Sequence, residues 1–366
     1  MQLNTKAFIQ AINNGSIFAS KNRIAPIFEC VKITFKQDKI VFTSTDSENT
    51  ISVSMANDND EYNGKSICIN SKDIVPYVKL INDLSFDFII NDNDIVIKHC
   101  SGKKKMPFLS ADDFPTIHKE DYKEAELTDI NTFCNYIKSA SSFIAIDDLR
   151  PILCGMCLSF SNNKLRTCCT DGYTMYVQSY KDVFDIDDTD VVINKNGIKA
   201  IYNIANGCDK ISFKIGKTNI IINSVNGSLC LRLIEGRYAK FDAVIPNDNY
   251  IDVKFNTQDA VKAIQRASLS ASNSNCLIKV MVGNNKIDFA AEDINLNTSG
   301  SETIECESNN EIKIGFKCST LLNVLSAVQD ERCLMTMSTC SRPCLVFNED
   351  TRYDNKILIM PHQIID

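Results

Sequence analysis

Apolar residues recur along the chain with two periods that alternate in blocks. In Asn4-Thr5-Lys6-Ala7-Phe8-Ile9-Gln10-Ala11-Ile12 a polar cap precedes apolar residues at helical spacing, and the same arrangement returns at 128–137 and 256–264. In the second copy Ile130, Phe133, Cys134 and Ile137 fall at i, i+3, i+4 and i+7, which places them on one face of a helix. A second helical pattern occupies 71–83 (Ile74, Val75, Val78, Ile81), 194–206 (Ile198, Ile201, Ala205) and 317–329 (Leu321, Leu322, Leu325, Val328). Pro76 fits the first of these poorly, because proline inside a helix forfeits a backbone hydrogen bond, so that helix begins or kinks there. Between the helical windows the period drops to two. Val31-Lys32-Ile33-Thr34-Phe35, Lys39-Ile40-Val41-Phe42-Thr43 and Ile278-Lys279-Val280-Met281-Val282 alternate as strands do, and Asn284-Asn285 marks a turn.

The helical windows repeat. The first kind starts at 4, 128 and 256 and the second at 71, 194 and 317, so the period is close to one third of the 366 residues. Each third reads as helix, strands, helix, strands. The expected architecture is α+β: three repeats of one domain, each with two helices on an antiparallel sheet layer, spanning 1–123, 124–247 and 248–366.

With 44% apolar and 23% charged residues, the composition excludes a disordered or collagen-like chain. The N-terminus lacks a basic stretch followed by an apolar one, and no run approaches the ~18 apolar residues of a membrane span. A soluble cytosolic protein that does not engage a membrane is the expectation. Sixteen cysteines spread over a long chain, mostly among apolar neighbours, read as small buried hydrophobes in a reducing compartment.

Net charge is −7, which argues against a uniformly basic nucleic-acid binder. The distribution changes that inference. The six helical windows hold nine basic and four acidic residues, a balance of +5, which leaves −12 for the rest of the chain. Lys195/Lys199 and Lys262/Arg266 are i,i+4 pairs that stack two cations on one helix face. Lysines on any single exposed helix face are ordinary solvation. The bias summed over six helices points to a cationic layer on an acidic body.

Three chemical motifs carry little. Asn63-Gly64-Lys65-Ser66 ends like a phosphate loop, but Asn59 takes the first glycine position and a strand-like Ile67-Cys68-Ile69 follows instead of a helix. Cys154-Gly155-Met156-Cys157 has redox spacing within an apolar, strand-like run, where no helix start stabilises a thiolate. If that strand is regular, its two cysteines point to opposite sheet faces. His99, His118 and His362 show no zinc spacing with cysteine. No cofactor or metal is called for, and a cysteine-dependent redox or hydrolytic enzyme is the alternative reading.

Several segments carry a family resemblance. Leu165-Arg166-Thr167-Cys168-Cys169-Thr170-Asp171-Gly172-Tyr173, preceded by Arg150-Pro151-Ile152-Leu153-Cys154-Gly155-Met156, resembles the middle domain of the bacterial DNA polymerase III beta subunits, the sliding clamps. Glu235-Gly236-Arg237-Tyr238-Ala239-Lys240-Phe241 with Val244-Ile245-Pro246 resembles the end of that domain. Ala111-Asp112-Asp113-Phe114-Pro115 and Ile359-Met360-Pro361 match the first and last domains.

The resemblance implies a non-catalytic, head-to-tail homodimeric ring whose helices surround duplex DNA without reading its sequence. DNA-facing cations would then be Lys6, Lys21, Arg23, Lys138, Arg150, Lys195, Lys199, Lys262 and Arg266. It also implies a cleft for short hydrophobic motifs of polymerase, clamp loader and other DNA-handling proteins. By matching position, Leu153, Thr170, Gly172, Tyr173, Thr174, Met175, Val244, Ile359, Met360, Pro361 and His362 would form it. Ring closure would pair Lys103, Lys104 and Lys105 with Glu302, Glu305 and Glu307, and Leu269 would lie at the same boundary. The chain departs from the family pattern at Tyr173-Thr174, where His-Arg is frequent, at Ala239, where proline is usual, and in the added Ile365-Asp366.

Overall fold

The structure is a computed structural model that describes every residue except 20–24, 117–119, 148, 162, 181–187, 273–275, 350–354 and 365–366. Among the described residues there are six α-helices: α1 (Thr5–Gly15), α2 (Ser71–Val78), α3 (Ile130–Ala140), α4 (Lys195–Ala205), α5 (Thr257–Ser268) and α6 (Cys318–Ser326). Each overlaps one of the six helical windows, with α1, α3 and α5 running three or four residues past the end. Asparagine starts three of them: Asn4 Oδ1 accepts from Ala7 N–H at 2.9 Å, Asn70 Oδ1 from Lys72 N–H at 2.9 Å and Asn256 Oδ1 from Asp259 N–H at 3.0 Å. Each bond satisfies a donor that the first helical turn leaves without a partner. Pro76 lies inside α2, which ends two residues later and well short of the 71–83 window. Its missing N–H leaves the Lys72 carbonyl without its usual intrahelical partner, and past the helix end Leu80 N–H bonds to the Tyr77 carbonyl, a tighter turn.

Two compact units form, residues 1–134 with 196–233, and residues 135–195 with 234–366. In the first, a nine-stranded antiparallel sheet joins strands from two sequence thirds. Gly227–Arg232 pairs with Thr50–Ala56, with Leu229 opposite Ile51. A separate four-stranded sheet runs Gln2–Asn4, Ser85–Ile90, Asp94–His99, Gly102–Pro107. The α1 face Phe8, Ala11, Ile12 is buried between these layers, and Phe8 meets Phe42 and Phe86 edge-on, each at 5.2 Å between ring centroids. Burying each such ring contributes about 1.5–3 kcal/mol.

In the second unit a twelve-stranded antiparallel sheet again spans two thirds of the sequence. Thr174–Tyr180 pairs with Asn355–Ile359, with Thr174 opposite Ile359 and Met175 opposite Leu358. Across this seam lies a core of Cys157, Cys168, Met175, Val177, Tyr238, Phe241, Leu345 and Leu358, among others. Twelve of the sixteen cysteines are buried, as expected of small core residues. Cys154 departs from expectation: it ends a 3-10 turn, Pro151–Cys154, and only Cys157 lies in the strand Gly155–Ser161.

Candidate functional site

The turn after strand Lys164–Thr170 is built by its own side chains. Asp171 Oδ1 accepts from Tyr173 N–H at 2.8 Å, from Thr174 N–H at 2.6 Å and from Thr174 Oγ1 at 3.0 Å. Thr170 Oγ1 accepts from Gly172 N–H at 3.0 Å and donates to the Thr174 carbonyl at 2.6 Å. Gly172 has φ +91°, a conformation that other residues adopt only with strain. The turn leaves Tyr173 62% exposed beside a buried seam.

Leu153 and Met360 are half-buried and pack on the core that contains Met175, Tyr238, Phe241 and Leu358. Val244, at the end of the 3-10 turn Phe241–Val244, is 55% exposed. That turn is fixed by Arg166, whose Nη1 and Nη2 donate to the two carboxylate oxygens of Asp242 at 2.7 and 2.6 Å, and whose guanidinium lies 4.6 Å from the Phe241 ring centre. The guanidinium holds the Asp242 carboxyl below the usual carboxylate range. Ile359 is fully buried and stands opposite Thr174 in the strand register, at the foot of this turn. Met360 N–H donates to the Tyr173 carbonyl and His362 N–H to the Gly315 carbonyl, both at 2.8 Å.

The expected cations differ in setting. Lys6 on α1, Lys138 on α3, Lys199 on α4 and Lys262 on α5 are exposed, and Lys195 is half-buried. Lys21 and Arg23 lie outside the described residues. Arg150 sits against the 170–174 turn, where its Nη2 donates to the Asp171 carbonyl at 3.2 Å. Arg266 is engaged by Glu302: its Nε donates to Oε2 at 2.9 Å.

Two strand edges carry opposite charge. Among the described residues, Gly102–Pro107 pairs only with Asp94–His99, and the stretch 298–305 pairs only with Lys286–Asp293. Alternation sorts their charges. Lys104 Nζ donates to the Asp73 carbonyl at 2.9 Å and lies over the Tyr77 ring, while Lys103 and Lys105 belong to the other face. Likewise Glu302 meets Arg266, while Glu305 and Glu307 share the opposite face. Lys105 also pairs with Asp94 at 2.9 Å and Glu307 with Arg332 at 2.6 Å. Leu269, just past α5, is 87% exposed.

Three family models match the chain in order: the N-terminal domain of the DNA polymerase III beta subunit over residues 1–118, its central domain over 128–240 and its C-terminal domain over 242–363. The chain belongs to the DNA polymerase III beta-subunit family. A beta sliding clamp of Streptococcus pneumoniae is 23% identical over 371 residues, covering 98% of each chain. That of Haemophilus influenzae is 22% identical, covering 92% of each. The fold agrees with a crystal structure of the Pseudomonas aeruginosa clamp bound to griselimycin, at TM-score 0.92 and 19% identity, covering 100% of this chain and 99% of that one. A Bacillus subtilis clamp structure gives 0.87 at 19% identity, with the same coverage.

Nothing in this beta-subunit kinship supports the cysteine-dependent enzyme. Chemically, burial pushes the Cys157 thiol well above its ordinary pKa and that of Cys169 up to about 12, so neither is a thiolate near neutral pH. Cys154 Sγ donates to the Asp147 carbonyl at 3.3 Å. Among the described residues no three His, Cys, Asp or Glu side chains converge on a metal position, and no helix is long and apolar enough to cross a membrane.

Sequence reasoning missed Arg166, Asp242 and Phe241 as supports of the cleft region. Phe241 lay within a quoted motif, but pairing between positions 166 and 242 has no local signature. The face assignments of Lys104 and Glu302 were available from strand alternation alone.

Proposed function

We propose that two copies of this chain close head to tail into a ring around duplex DNA. The ring tethers polymerase, clamp loader and other DNA-handling proteins that present short hydrophobic motifs. The observation that carries this reading is the match of three beta-subunit domains, in order, along nearly the whole chain. We assign the domains to 1–123, 124–247 and 248–366, and the site of action to the cytoplasm. The protein is a non-catalytic accessory: enclosure retains the DNA, so weak non-specific attraction to phosphate suffices and permits sliding. A tethered polymerase gains effective concentration at the primer end.

Lys6, Lys138, Lys195, Lys199 and Lys262 supply the attraction, together with Lys21 and Arg23. The edge at Gly102–Pro107 of one subunit continues the sheet of its partner at the 298–305 edge. Lys103 and Lys105 there meet Glu305, with Glu307 on the same face just beyond the open stretch, and Leu269 is covered. Backbone pairing supplies the cohesion, while charge selects the head-to-tail register. Peptides dock where Leu153, Met175, Val244, Met360, Pro361 and His362 surround the 170–174 turn, an apolar anchor site with a polar rim.

The test is quadruple reversal, Lys6→Glu, Lys138→Glu, Lys199→Glu and Lys262→Glu. Retention on nicked circular DNA should fall while the dimer mass is unchanged. Undiminished retention sinks the assignment of these cations.

A further inference from the structure

The cleft residues Met360 and Pro361 belong to a short span of chain held at both ends. At one end Met360 N–H bonds to the Tyr173 carbonyl, and at the other His362 N–H bonds to the Gly315 carbonyl. Pro361 between them has no N–H to offer and a fixed φ, so the span has little freedom once both ends are made. The second anchor is a β-bridge onto Ile312–Lys317, the last strand of the twelve-stranded sheet. An edge strand normally leaves such groups to solvent or to another chain. Here the protein's own tail takes part of that edge.

Gly315 makes the crossing possible. A Cβ at this position would stand 2.8 Å from the His362 carbonyl oxygen and 2.8 Å from Ile364 Cγ1, closer than such atoms approach. Ile364 therefore lies directly over the glycine. There it forms part of the wall of a groove of about 530 Å³, with Leu277, Ile278, Ala290, Ala291 and Ile294. Lys279, Glu292, Asp293 and Asn295 also line the groove, so its walls are mixed, and it is the apolar part beside Ile364 that gives an aliphatic side chain a reason to stay.

From this geometry we infer that Ile364, seated over Gly315, is a positioning residue for the partner cleft: it locks the tail on the sheet edge and so presets Met360 and Pro361 for peptide binding. The inference rests on the cleft reading above. It says where the energy that shapes one wall of the cleft comes from, which is a groove outside the cleft itself. Losing the anchor leaves the wall to be ordered by each incoming peptide, at a cost of about tenfold in affinity for each backbone residue that must be fixed.

The experiment uses the full-length chain and its Ile364→Ser, Ile364→Val and Gly315→Ala variants. Peptide affinity is read by fluorescence anisotropy with a fluorescein-labelled five-residue peptide that has leucine and phenylalanine at alternate positions. Amide hydrogen exchange reports on His362, and light scattering on the dimer. Ile364→Ser and Gly315→Ala should bind roughly tenfold more weakly and exchange the His362 amide faster. Ile364→Val, which keeps an aliphatic filling, should stay within about twofold of the parent. The dimer mass should not move in any of them. Parent-like affinity in both Ile364→Ser and Gly315→Ala overturns the inference. If the parent chain binds no peptide, the cleft reading fails, and the exchange measurement still decides the anchor: unchanged His362 protection in Ile364→Ser refutes it.

Discussion

Replacing Gly172 by alanine isolates the turn at the centre of the proposed peptide site. Gly172 has φ +91°, and a side chain held in the left-handed region costs roughly 1–2 kcal/mol. The new Cβ would also stand 2.8 Å from Arg150 Nη1. That guanidinium is the free end of a flexible side chain and can swing aside, but it then gives up its bond to the Asp171 carbonyl, worth about 1 kcal/mol at this exposed site. The total, about 2–3 kcal/mol, is enough to favour a rearranged turn in the free protein. Peptide binding must then restore the native turn, so affinity should fall by about 30- to 150-fold. Anisotropy titration with a labelled peptide measures it, with light scattering to verify the dimer. Gly172→Asn should recover much of the loss, because asparagine tolerates positive φ better than alanine does. Binding by Gly172→Ala within about twofold of the parent would refute the claim that this turn shapes the site.

Three other outcomes follow from the same geometry. Lys103→Glu with Lys105→Glu should weaken the dimer by about tenfold or more, as exposed pairs of modest strength turn repulsive; mixing with a Glu305→Lys, Glu307→Lys chain should restore it in sedimentation runs. The Arg166 guanidinium lowers the Asp242 pKa, so its stabilisation is present in full above the ordinary carboxylate range and is lost as pH falls through the lowered native value. Arg166→Ala should therefore destabilise the neutral protein by about 1 kcal/mol, and its melting temperature should depend less on pH across that acidic range than the parent's. Alkylation of the native protein with iodoacetamide should label the exposed Cys100 and Cys340 first and leave DNA retention intact; a parallel loss of retention would revive a functional thiol.

The helices were legible because their signal is local. Apolar spacing and an asparagine at the strand–helix junction sufficed to place α1 and α5, and the one clear shortfall is α2, which contains Pro76 and stops at Val78. The threefold repeat was legible for the same reason, since each copy carries its own pattern. The sheets were not. That Leu229 pairs opposite Ile51, or Met175 opposite Leu358, depends on partners far apart in sequence, and alternation within one strand does not name its neighbour. Site residues divide along the same line. Tyr173, Met360 and Leu153 could be matched by motif, whereas the bond from Arg150 to the Asp171 carbonyl, which braces a turn, joins positions 21 residues apart and has no local signature. Arg266 shows the limit of counting charges: on the helix it is a cation, but Glu302 on an adjacent strand claims it.

The central claim is retention by enclosure, and one measurement bears on it directly. The dimer is loaded on nicked circular duplex DNA and isolated by gel filtration. The circle is then cut once with a restriction enzyme at constant salt. A ring held by topology stays on the circle and is released when the DNA gains ends. Equal retention on circular and linear DNA would show binding by contact and contradict the account.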